Sequence, residues 1–239
     1  MSSAIKPFLS LCRVSNLPTV WTNVLCAVIL TGETVSLHHF LHLLLSLSLF
    51  YSAGMCLNDI CDLEEDRTKR PSRPLPSGKV TLQSASAFTS IMFGAALLLL
   101  AFVPHPRAVF AGLLLLAAIV FYDKFHKAHP MSVLVMAMCR LMVFVVSSIA
   151  VAGSVGKLAA IGGALQFTYI LIISITARYE NIRKQRYSFS VIPYMLAGIS
   201  LLDGIVMAVF VAPVWLAAGA AGAVLTIMGQ RFVRGDCMG

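Results

Sequence analysis

Long apolar runs joined by short polar connectors account for almost all of this chain. Eight runs are evident, at 14–31, 39–57, 83–103, 107–122, 131–152, 158–177, 190–210 and 212–230. Each is close to the roughly 20 residues a helix needs to cross the hydrocarbon core of a bilayer. The pattern predicts an all-α, polytopic transmembrane bundle. The runs at 14–31 and 107–122 are short and borrow residues from their loops. Gly, Ala and Ser are frequent in the later runs, as close helix–helix contact requires; APVWLAAGAAGAVLTIMGQ is the clearest case. The first run follows Arg13 without a convincing cleavage site, so it is expected to persist as the first membrane helix.

Composition agrees with the pattern. Hydrophobic residues make up 59% and charged residues 12%, with a mean hydropathy of +0.87. Soluble domains run nearer 45–50% and about 25%. One domain over 1–239 is expected. The net charge of +8 would suggest nucleic acid in another chain, but here the bases lie in the connectors, where membrane orientation explains them. With the N-terminus inside, the outer loops hold only Arg107 and Lys157. Arg140 lies within the fifth run, and the other Lys and Arg of the 18 fall on inner segments. The expectation is an integral, multi-pass protein of a bacterial inner membrane with both termini cytoplasmic. The long polar loops 58–80, 123–130 and 178–189 then share one face, where chemistry is to be sought. The cysteines match no zinc spacing and read as small apolar residues.

The second run ends in NDICDLEEDRTKRPSRPLPSGK, residues 58–79. On a continuing helix Asn58, Asp62 and Asp66 advance by only about 40° per step, and Asp59 lies about 100° from Asn58, so all four side chains share a face. Such oxygen donors suit a hard cation such as Mg²⁺, which binds through a few carboxylates plus substrate phosphates. Arg67, Lys69, Arg70, Arg73 and Lys79 suit the phosphates. Glu64 and Glu65 point elsewhere, to solvent or to Arg67 and Lys69. Pro71, Pro74, Pro76 and Gly78 end the helical pattern, and the segment is expected to fold its bases back toward the acids.

NDICDLEED followed by RPSRPLPSGKV resembles the first signature of the UbiA superfamily of intramembrane prenyltransferases, N-D-x-x-D-x-x-x-D and then R-P-[LIV]-P-S-G. Asn58, Asp59, Asp62 and Asp66 fill its acid positions and Arg73 to Gly78 the rest. RVSNLPTVWTNVL is similar to the family's first helix, with Arg13, Asn16, Pro18, Thr19 and Asn23 in place. The resemblance implies a helical bundle around a central cavity and Mg²⁺-dependent transfer of a prenyl group from a prenyl diphosphate to an aromatic or polar small-molecule acceptor. It implies substrate contacts from Asn16 and Asn23. The chain departs from the family pattern where a second acid motif is usual: ITARYENIRKQR offers only Glu180, beside Asn181, and Arg178 precedes them. Tyr122 with Lys124 and Lys127 approximates the usual Y-x-x-x-K. Eight runs are present where nine spans are usual. The EboC-like subgroup departs similarly.

On this reading Asp62 and Asp66 are the leading Mg²⁺ ligands and catalytic groups, completed by Asn58 and Asp59. Arg67, Arg73, Lys124, Lys127 and Arg178 are candidates for diphosphate oxygens. Arg178 also stands as a catalytic replacement for lost metal charge, and Glu180 with Asn181 as the remnant of a second metal site. Arg140 and Asp203 lie inside spans, where ionisable groups face the bundle interior; they pair with each other or line the cavity. His38, His39 and His42 cluster at the far end and are assigned no metal. A bundle that binds prenyl diphosphate without turning it over, or a transporter built on Arg140 and Asp203, are the alternatives. The oligomeric state is not legible.

Overall fold

The computed structural model describes the backbone of residues 5–125, 132–183 and 191–234, and the side chains of 6–125, 132–179 and 191–231. Each apolar run becomes one long helix. A short α1 (Ile5–Leu11) and a 3₁₀ turn (Val14–Asn16) lead into α2 (Leu17–Thr31) and α3 (Leu37–Cys61). Then come a short α4 (Leu63–Lys69), α5 (Leu82–Leu100), α6 (Ala108–Phe125), α7 (Ser132–Ala152), α8 (Lys157–Arg183), α9 (Val191–Phe210) and α10 (Trp215–Arg234). Among the described residues every regular element is helical, and seven helices are long and apolar enough to cross a membrane. The eighth run forms α10, whose last side chains lie outside the described residues.

Local chemistry fixes the ends. Pro18 sits in the first turn of α2, where its missing N–H costs nothing. Gly32, at φ 73°, closes that helix in the left-handed conformation. The Thr81 hydroxyl caps α5 by accepting from the Ser84 N–H at 3.2 Å. α3 has 25 residues. At 1.5 Å per residue it is about 37 Å long, more than the hydrocarbon core, so its final polar turn projects beyond the apolar layer.

α2 is the hub, touching α3, α7, α8, α9 and α10. Val20, Val24, Cys26, Ala27, Val28 and Leu30 are all buried, as befits a helix packed against five others. On the periphery, Ile91, Phe110, Val209 and Val214 are each about 70% exposed, a pattern suited to lipid rather than water. α9 and α10 meet through glycines: a Cβ added at Gly219 would lie 2.6 Å from the Gly204 Cα, so only hydrogen permits the crossing.

The chain runs up and down, so one end of the bundle collects the start of α2, the end of α3, the start of α5, the end of α6 and the start of α7. Contacts between Arg13 and Asp59, Phe8 and Phe88, and Asn58 and Asp123 hold this end together.

Candidate active site

The acid motif straddles a break. α3 carries Asn58 and Asp59 on its last turn and stops at Cys61. Asp62, at φ −90° and ψ 0°, starts a separate one. The break corrects the expected single helical face: Asp66 reaches the site from α4, not from a continuing α3. The turn stays tight because the Asp62 N–H donates to the Asn58 carbonyl at 2.9 Å and the Asp66 N–H to the Asp62 carbonyl at 2.8 Å. Glu64, Glu65 and Asp66 occupy the first turn of α4, where negative charge favours the helix dipole.

The proline-rich segment is ordered, as expected from its sequence. The Arg73 N–H donates to the Arg70 carbonyl, Ser77 to Arg73, and Val80 to Pro74, at 3.0–3.1 Å. Gly78 supplies φ 73°, and buried Leu75 and Val80 anchor the segment. The fold carries Arg73 back onto two buried acids. Its Nη1 lies 2.6 Å from Asp66 Oδ2 and 3.3 Å from Asp59 Oδ1. Arg13 Nη2 reaches the same Asp59 oxygen at 3.1 Å. Arg70 flanks Asp66 at 3.6 Å. Arg13 adopts φ 46°, a left-handed conformation that costs a non-glycine residue on the order of 1 kcal/mol. The bond to Asp59 helps to hold it there. Burial opposes the Arg13 charge, but Asp59, with Tyr51 and Tyr122 adding, outweighs it and raises its pKa.

A third buried acid completes this end. Asp123, near the end of α6, accepts from Asn58 Nδ2 at 3.1 Å. Asp123 lies among Tyr122, Lys124 and Lys127, the residues expected at the site, and an acid closing an apolar run is its signal in the sequence. Tyr122 donates to Met136 Sδ at 3.6 Å, and Lys124 is exposed.

Other expected site residues lie elsewhere. Arg67 turns outward to Glu64 at 2.7 Å, and Lys69 to Glu65 at 2.7 Å, because the (i, i+3) and (i, i+4) spacing puts those partners closest. Arg67 is therefore directed at Glu64 and not at the buried acids. Asn16 accepts from Gln230 Nε2 at 3.1 Å, binding α10 to the start of α2. Asn23 bridges the two intramembrane charges: it accepts from Arg140 Nη1 at 2.6 Å and donates to Asp203 Oδ2 at 2.7 Å. Gln166 donates to Asp203 Oδ1 at 2.7 Å. Arg140 and Asp203 are thus joined through an amide. Arg178 is exposed on α8. Lys127 and the side chains of Glu180 and Asn181 lie outside the described residues.

Among the described residues no three His, Cys, Asp or Glu side chains form a ready-made metal cage. The donor chemistry nevertheless fits Mg²⁺, which needs only one or two carboxylates when waters and phosphates supply the rest. Asp59 and Asp66 are buried oxygen donors whose charge is balanced by Arg13 and Arg73.

The family model described as UbiA prenyltransferase family matches residues 17–236. Digeranylgeranylglyceryl phosphate synthase of Methanocaldococcus jannaschii is 35% identical over 105 residues, 41% of this chain and 35% of that protein. Polyprenyl transferase trt2 of Aspergillus terreus is 30% identical over 146 residues, 55% of this chain and 43% of that protein. The matches thus span less than half the length of these curated relatives. A solved UbiA homologue from Archaeoglobus fulgidus, bound to DMAPP and Mg²⁺, superposes with a TM-score of 0.63 at 16% identity. That superposition covers 95% of this chain and 99% of that one.

Proposed function

Because the chain belongs to the UbiA prenyltransferase family, an integral multi-pass membrane fold, we propose that it transfers a prenyl group from a prenyl diphosphate to a small-molecule acceptor, with Mg²⁺, at the cytoplasmic face. One observation carries the reading: the proline-rich segment folds Arg73 between Asp59 and Asp66, so cationic and anionic groups converge at one mouth of an apolar bundle. The solved homologue bound to DMAPP and Mg²⁺ supports the substrate class and the metal.

Asp62 and Asp66, with Asn58 and Asp59, would hold the cation. When bound, Mg²⁺ supplies Lewis-acid stabilisation of the departing diphosphate. Arg73, Arg13 and Arg70 donate to the diphosphate oxygens, with Lys124 of α6, Arg178 of α8 and Lys127 as further donors. Their charge stands where negative charge develops. The allylic C–O bond breaks with both electrons leaving on the diphosphate. The acceptor's nucleophile forms the new bond to that carbon and releases its proton. The apolar interior houses the prenyl chain and excludes water from the carbocation. Arg178 stands in for charge that the altered second motif lacks, and Glu180 with Asn181 contributes what remains of that motif.

The test is incubation of the purified full chain with Mg²⁺, prenyl diphosphates of several lengths and a host extract, followed by mass spectrometry. A prenylated product that disappears in Asp62→Ala supports the assignment. Tight Mg²⁺–diphosphate binding with no diphosphate consumed at any chain length replaces it with a binding protein.

A further inference from the structure

Asn58 and Asp123 are 65 residues apart and meet only because α3 and α6 end together. A carboxamide is ambivalent. Rotated by half a turn about its last side-chain bond, it exchanges an acceptor oxygen for a two-proton donor. A carboxylate has no such freedom, because it only accepts. Beside Asp123, Asn58 must therefore turn its nitrogen inward, which leaves Oδ1 facing away from Asp123. Asp123 is only 4% exposed, so solvent and salt do little to weaken that preference. Without it, an asparagine next to bound diphosphate would favour the opposite orientation, with its N–H₂ toward the phosphate oxygens and its oxygen withdrawn from the cation.

We propose that Asp123 is a positioning residue that fixes the Asn58 carboxamide so that its oxygen serves the Mg²⁺–diphosphate. The inference rests on the function proposed above and extends it to a residue outside the acid motif. Asp123 acts through Asn58. It is a carboxylate brought from α6 to a site whose other acids come from α3 and α4, and its hydrogen bond does for Asn58 what an outer-shell partner does for a metal ligand. Loss of such partners typically lowers metal affinity about 10- to 100-fold.

The test is titration calorimetry of the purified full chain with Mg²⁺ in the presence of inorganic diphosphate, with melting temperatures recorded alongside. Asp123→Asn keeps the shape and abolishes the obligatory acceptor. It is expected to weaken Mg²⁺-dependent diphosphate binding about tenfold or more while the melting temperature holds. Asn58→Ala is expected to weaken it similarly, and combining the two substitutions to cost little beyond either alone. Exchanging the pair, with Asn58→Asp placed on Asp123→Asn, restores binding, because a carboxylate at position 58 offers oxygen in either orientation. Unchanged affinity in Asp123→Asn, additive losses in the double variant, or no recovery in the exchanged pair each overturn the positioning role alone. Absence of Mg²⁺-dependent diphosphate binding in the unsubstituted chain overturns the underlying function as well.

Discussion

Replacing Arg73 with glutamine removes the cation shared by two buried acids. The Asp66 side chain is 3% exposed and the Asp59 side chain 8%, so neither recovers hydration when its partner goes. The contact to Asp66, at 2.6 Å, is a short charge-assisted hydrogen bond, and the one to Asp59, at 3.3 Å, is long. A hydrogen bond to a charged group contributes about 1.5–3 kcal/mol, and breaking a fully buried ion pair from one side costs about 3–5 kcal/mol. The lower range applies, because Arg73 is 26% exposed and each acid keeps a second arginine: Arg13 at 3.1 Å from Asp59 and Arg70 at 3.6 Å from Asp66. The loss is therefore about 2–3 kcal/mol, or a melting point roughly 5–10 °C lower for a chain of this size. Melting in detergent without Mg²⁺, followed by the fluorescence of Trp21 and Trp215, measures it. Asp66→Asn removes the charge that Arg73 neutralises, so adding it to Arg73→Gln should recover more than half of the loss. An unchanged melting point, or the same loss when Arg73→Gln is introduced into Asp66→Asn, refutes the charge clamp.

Four further outcomes follow, three of them from named contacts. Asn23→Ala strips a hydrogen bond from both Arg140 and Asp203 and should destabilise the bundle by about 2–4 kcal/mol, read as a fall in the same melting point. Gly219→Ala drives a methyl to 2.6 Å from the Gly204 Cα and 2.7 Å from the Ser200 carbonyl, both backbone atoms, so α9 and α10 must separate at about 1–3 kcal/mol, measured likewise. Arg67→Ala removes only an exposed pair with Glu64 and should leave prenyl transfer within about twofold of the parent, whereas Arg178→Gln should abolish most of it, both read as product per unit time.

The eight apolar runs predicted the long helices to within a few residues at most ends, because crossing a bilayer imposes a length and a polarity that are written locally. The acid motif and the ordered proline-rich segment were legible for the same reason. Spacing along one helix and turn residues at fixed offsets are properties of neighbours in sequence. The break at Asp62 was not, since the acids keep a helical spacing on either side of it. Nor was the outward turn of Arg67, which follows from its competing with nearby Glu64. What the sequence withheld entirely were partners far apart along it: Arg13 with Asp59 across 46 residues, Asn58 with Asp123 across 65, Asn23 with Asp203 across 180. Each of these side chains is polar in an apolar setting and must find a complement. Which complement it finds depends on how helices of nearly identical apolar composition are ordered around α2, and only their packing determines that.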